Sequence, residues 1–139
     1  MKFVDDDGGR HLAGFKGTAN DCVCRSIAIA TGRWYGDIYS ELHELKIGSP
    51  RNGIKTRSKR FKKYMASLGF EWIPTMKIGQ GCTVHVAADE LPSGRLVLSL
   101  SKHYTAFING IVHDTFDPSR NGSRCVYGYW KLNKGNHSK

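Results

Sequence analysis

No apolar run in this 139-residue chain approaches the roughly 18 residues that a membrane span needs. The opening Met1-Lys2-Phe3-Val4-Asp5-Asp6-Asp7 carries acid where a secretory signal carries an apolar stretch. The absence of both points to a cytoplasmic protein with no membrane partner. There is no internal repeat and no low-complexity segment. Length and composition, with 40% hydrophobic and 24% charged residues, fit one globular domain over 1–139 that buries a core without disulfide staples. The ends, 1–15 and 132–139, read as flexible. Cysteine is scarce: Cys22, Cys24, Cys82 and Cys125. Without an export signal these are expected as free thiols rather than two disulfides.

Acid is also in the minority, and the net charge is +9. Much of the excess falls in the 51–63 block: Arg51, Lys55, Arg57, Lys59, Arg60, Lys62 and Lys63. Such a block is ordinarily a solvated helix face. It is also the footprint expected of a nucleic-acid-binding surface, with Arg57, Lys59, Arg60, Lys62 and Lys63 as its contacts and Tyr64 or Trp72 nearby.

Hydrophobic period divides the chain into a helical first half and a stranded second half, an α+β order. Residues 1–19 read as loop with one short strand. A helix opens at Asn20 or Asp21, either of which can cap it, and Gly32 stops it. Val23, Ile27, Ala28, Ile29 and Ala30 make it apolar on nearly every side, the mark of a buried central helix. Further helices are expected over 37–46 and 56–68, the latter with Phe61, Tyr64, Met65 and Leu68 as its apolar stripe. Strands are expected over 70–73, 95–100, 103–108, 111–115 and 125–130; 83–91 is ambiguous, and within it 86–91 could form a short helix.

Asn109-Gly110 between two apolar runs signals a two-residue hairpin. A type I′ turn there pairs Ile108 with Ile111, Thr105 with Asp114 and His103 with Phe116. His103, Thr105, Asp114 and Phe116 then share a face, and His113 lies on the other. Asp114 becomes the diagonal neighbour of His103. Asp117 is the alternative partner if a bulge shifts the register, although Asp117-Pro118-Ser119 also reads as a capped turn. His11, His43, His85, His113 and His137 show no comparable constellation.

Cys22 falls in the first helical turn, where the helix dipole and unpaired backbone N–H groups favour thiolate over thiol. Cys24, deeper in the helix, reads as core. Cys82 reads as a loop bystander and Cys125 as core at the start of a strand. Arg25 is placed to assist the thiolate or to bond a nearby carboxylate. Zinc held by Cys22 and Cys24 with Cys82, Cys125 or a histidine is the competing chemistry. A Cys-x-Cys pair on a helix points its sulfurs about 200° apart, unlike a zinc knuckle, so no metal and no cofactor are expected.

A helix-opening Cys22, then His103 on a strand, then Asp114 or Asp117 resembles the papain-like cysteine peptidase superfamily. Asn20-Asp21-Cys22 before an apolar helix is similar to the entry of its bacteriocin-processing peptidases. Together with Arg25, Asn109-Gly110, Asp114-Thr115-Phe116-Asp117 and Tyr127-Gly128-Tyr129-Trp130, it also resembles small bacteriophage-encoded proteins of that fold. The resemblance spans roughly residues 15–130. It implies a peptidase or isopeptidase in a host cytoplasm acting on a peptide or protein, with Cys22 as nucleophile, His103 as base and Asp114 or Asp117 orienting it. Such enzymes place a Gln six residues before the Cys to complete the oxyanion hole. Here Lys16 stands there, so Asn20 or Thr18 takes that place in this reading. The Gly-Ser-Cys-Trp signature is missing. A binding protein built on an inactive fold of this type is the alternative.

Overall fold

A computed structural model describes residues 3–17, 19–77 and 79–133. The chain is a mixed α+β fold with helices packed against a multi-stranded sheet. Its elements run β1 (Phe3–Asp5), α1 (Cys22–Thr31), α2 (Tyr35–Glu44), β2 (Gly48–Ser49), β3 (Gly53–Ile54), α3 (Lys59–Ser67), β4 (Phe70–Pro74), β5 (Arg95–Leu100), β6 (His103–Ile108), β7 (Ile111–Asp114) and β8 (Gly128–Leu132). Six strands form one sheet in the order β1-β7-β6-β5-β8-β4, and β2 and β3 form a separate hairpin. All neighbours in the large sheet are antiparallel except β1 and β7, which run parallel. Among the described residues no helix is long and apolar enough to cross a membrane.

Alternation along the strands builds two cores. Val97, Tyr104 and Trp130 face the helices and pack with Cys24, Ile27, Ile38, Leu42, Phe61 and Met65. Leu96, Leu98, Phe107, Val112 and Tyr129 face the other way and are covered by Val86, Leu91 and Val126. The expected apolar character of α1 thus places it against the middle of the sheet, where it packs on β6 and β5.

The helices begin and end close to expectation. Gly32 ends α1 in the left-handed region (φ 73°), its N–H donating to Ala28 O at 2.9 Å. Ser58 caps α3 by accepting from Phe61 N–H at 3.1 Å. Asp21 precedes α1 but makes no side-chain cap, because its carboxylate is taken by other partners. The 83–91 segment forms no helix: His85 makes an isolated antiparallel bridge to Cys125, and 88–90 is a turn. The last strand starts at Gly128 rather than at Cys125.

That bridge explains a second correction. Cys82 and Cys125, expected as free thiols, are joined in a disulfide across 43 residues, with Cα atoms 5.9 Å apart. Val126 N–H donates to Val84 O at 2.8 Å and Val86 N–H to Arg124 O at 2.9 Å, which brings the two cysteines side by side. Only Cys22 and Cys24 are free. Disulfides persist in oxidising compartments and are rare in cytosol.

Candidate active site

The 109–110 turn is the one expected. Asn109 (φ 49°) and Gly110 (φ 83°) both have positive φ, as a type I′ turn requires, and the register pairs Ile108 with Ile111, Phe107 with Val112 and Ala106 with His113. The expected pairing of His103 with Phe116 does not follow, because the ladder stops at Ala106–His113. Hydrogen-bonded pairs alternate along an antiparallel ladder, so the next one would join Tyr104 to Thr115. Both N–H groups of that pair go elsewhere. Tyr104 N–H points at Cys22 Sγ, 3.4 Å away, and Thr115 N–H donates to Asp114 Oδ1 at 2.7 Å. The N-terminus of α1 meets β6 where the hairpin opens.

His103 and Asp114 still meet as the register requires. His103 Nε2 lies 2.7 Å from Asp114 Oδ2, and Thr105 Oγ1 donates to the same oxygen at 2.7 Å. The His103 and Phe116 rings lie 5.0 Å apart between centroids. With Nε2 engaged by Asp114, Nδ1 is the nitrogen left for Cys22, which lines the same cleft as His103. Asp117 is exposed, and its Oδ1 accepts Ser119 N–H at 2.9 Å, the capped turn that was its other reading. It is not brought to the imidazole. Parallel β1 fixes Asp114 from its far side through the pair Asp5–Asp114 and Asp6 N–H donating to Asp114 O at 2.9 Å.

The electrostatics of the three groups are coupled. Burial pushes the Cys22 thiol up, but hydrogen bonds from His103 and Tyr104 N–H and the charges of His103 and Arg25 outweigh it, so the thiol titrates below its usual value. Burial pushes His103 down, yet its bonds to Asp114 and Cys22 raise it to about 9. Burial likewise pushes Asp114 up, and its bonds to His103, Thr105 and Thr115 N–H carry it below the usual carboxylate range. These directions favour a thiolate–imidazolium pair. Cys24, two residues on, goes the other way: burial raises its thiol to about 12. Among the described residues no group of three His, Cys, Asp or Glu side chains could hold a metal ion.

Beneath this pair lies a buried ion cluster that the sequence reading missed. Asp21, 1% exposed, accepts from Arg25, from Arg10 Nη1 at 3.1 Å and from Tyr35 Oη at 2.5 Å. Arg25 extends to Asp114, its Nη2 lying 3.4 Å from Oδ1. It therefore does both things proposed for it: it bonds carboxylates, and its charge favours the thiolate. Arg10 also donates to Lys16 O at 3.0 Å and Gly17 O at 3.4 Å, which ties the loop before Cys22 to the N-terminal segment. The only local signal for this cluster is Asp21–Arg25 at helical spacing. Arg10 and Tyr35 reach it through tertiary packing.

A cleft of about 840 Å³ opens over Cys22 and His103. Asn20, exposed, lines it with Cys22, and the β2–β3 hairpin supplies Gly53 and Ile54 to its lining. Thr18, the other oxyanion candidate, lies outside the described residues, as do His137 and the basic residues Lys134 and Lys139. Of the basic block, Arg57 lines the cleft. Lys59, Arg60, Lys62 and Lys63 stand exposed on α3 opposite its buried Phe61, Tyr64 and Met65, with Arg60 Nη1 donating to Leu45 O at 3.1 Å.

Comparison with family models, curated proteins and solved structures finds no match. The chemistry of the site rests on its own geometry.

Proposed function

We propose that the protein is a papain-like thiol hydrolase, a peptidase or isopeptidase of the small bacteriophage-encoded kind. The observation that carries this reading is one imidazole, held by a carboxylate at 2.7 Å, that lines an open cleft together with the thiol that opens α1.

In this mechanism His103 Nδ1 takes the Cys22 proton, and the sulfur bonds to the acyl carbon of a peptide or protein substrate. The oxyanion accepts from the Cys22 backbone N–H at the positive end of α1, with the Asn20 side chain as second donor. The C–N bond then breaks, and His103 gives its proton to the departing amine. Water enters, His103 takes a proton from it, and the hydroxide releases the acyl group and regenerates the thiolate. Asp114 keeps the Nε2–H tautomer in place throughout. Every step uses a side chain or backbone group of this chain.

The test is alkylation with limiting iodoacetamide, and trapping with an electrophilic peptide probe, in wild type, Cys22→Ala and His103→Ala. Cys22 is expected to react first, at a pH below the usual thiol range. The trapped product should vanish in Cys22→Ala and form at least about tenfold more slowly in His103→Ala. Equal labelling of all three proteins overturns the reading.

A further inference from the structure

A second sulfur–imidazole–carboxylate series lies away from the cleft, around a histidine for which no constellation was expected. His85 Nε2 is 3.6 Å from Cys82 Sγ, and His85 Nδ1 is 3.0 Å from Glu90 Oε1. The same Glu90 oxygen accepts the His85 backbone N–H at 3.0 Å, so the residue is held at two points. Cys82 is exposed, and its disulfide partner Cys125 is half-buried. A disulfide with one sulfur open to solvent and an oriented imidazole against that sulfur has the parts that thiol–disulfide exchange requires: access for the attacking thiolate and stabilisation of the departing one.

We propose that Cys82–Cys125 is a thiol–disulfide exchange site for a small external thiol, with His85, oriented by Glu90, assisting departure of the Cys82 sulfur. In the first step a thiolate RS⁻ attacks exposed Cys82 Sγ. The S–S bond breaks, and its electron pair leaves on Cys125, which takes a proton from water. In the second step another RS⁻ attacks the R-bearing sulfur of the mixed disulfide. The bond to Cys82 breaks, and Cys82 departs as thiolate beside His85, which supplies the proton. The protein disulfide gains two electrons and two protons, and two molecules of thiol become one RSSR. The site shares no residue with the Cys22 cleft, so it stands whether or not that cleft is hydrolytic.

The test uses the full chain carrying Cys22→Ser, purified without reductant, and reduced glutathione in excess. Intact mass and peptide mapping follow the disulfide and its adducts over time, and circular dichroism confirms that each variant is folded. The adduct is expected on Cys82, transiently. A better-stabilised leaving thiolate departs faster, so His85→Gln should lengthen the adduct's life several-fold. Glu90→Gln, which leaves the imidazole in place but unoriented, should lengthen it by less. A bond that stays closed in the folded protein under excess glutathione overturns the proposal. So does an adduct on Cys125, an adduct lifetime unchanged in both variants, or three free thiols in the purified Cys22→Ser protein.

Discussion

Arg25 spans two buried carboxylates, bonding Asp21 four residues behind it on its own chain segment and reaching Asp114 Oδ1, 3.4 Å away, at the end of β7. Its Nε is buried without a partner, so the whole side chain is committed to the two Nη contacts. Removing one partner of a buried ion cluster leaves the others uncompensated. Arg25→Ala is therefore expected to lower the unfolding free energy by about 3–5 kcal/mol, read by urea denaturation. Arg25→Lys keeps the charge but loses the fork that serves two carboxylates at once, and should fall between the two. Equal stability of Arg25→Ala and wild type would exclude a structural role for the bridge.

The titration of His103 carries a sign that can be measured. Its folded value, about 9, lies above the ordinary 6.5, so the folded state binds that proton more tightly. The stabilisation is fully present below about pH 6.5 and is lost as pH rises to about 9. Cys22, lowered from 9.0, acts in the opposite sense: its contribution is present above 9.0 and is lost as pH falls through the folded value. Asp114, lowered from 3.8, holds its contribution above 3.8 and loses it in acid. Because Cys22 gains over the 6.5–9 window what His103 loses, melting midpoints of Cys22→Ser and Cys22→Ser/His103→Gln isolate the histidine, which Asp114 still raises. The advantage of the protein that keeps His103 should narrow as pH rises above 6.5, and a constant gap in this background would contradict the assignment.

Gly110 is tested by comparison with Gly14. Both have positive φ, 83° and 89°, but a Cβ on Gly110 would sit 3.1 Å from Ala88 Cβ, while one on Gly14 meets nothing within 4 Å. Gly14→Ala incurs backbone strain alone, about 1 kcal/mol. Gly110→Ala adds crowding in the turn that sets the β6–β7 register, and should cost about 2 kcal/mol. Chemical denaturation of the two variants gives the comparison, and equal losses would mean that Ala88 yields freely.

The parts of the molecule legible in the sequence are those fixed by local chemistry. Gly32 ends α1 because only a left-handed residue closes that turn, and Asn109-Gly110 sets a register that brings Asp114 to His103 eleven residues away. The α+β order follows from the change of hydrophobic period after Gly69. What escaped was set by packing between distant segments. Nothing near Cys82 announces Cys125, since spacing alone does not give pairing. Asp21 reads as a cap by type and position, and its buried partners Arg10 and Tyr35 come from neighbouring segments that the period does not connect. The parallel pairing of β1 with β7 and the β2–β3 hairpin involve strands of two or three residues, too short to show an alternation.

The opened end of the β6–β7 hairpin has a consequence for assembly. The imidazole and its carboxylate need only a tight local turn to meet, whereas the sulfur must cross 82 residues of chain to reach Tyr104 N–H. By loop-closure entropy alone the longer contact costs roughly 2 kcal/mol more. The imidazole–carboxylate contact is thus the entropically cheaper half of the cleft to assemble, and the thiol joins it only where α1 is docked on the sheet.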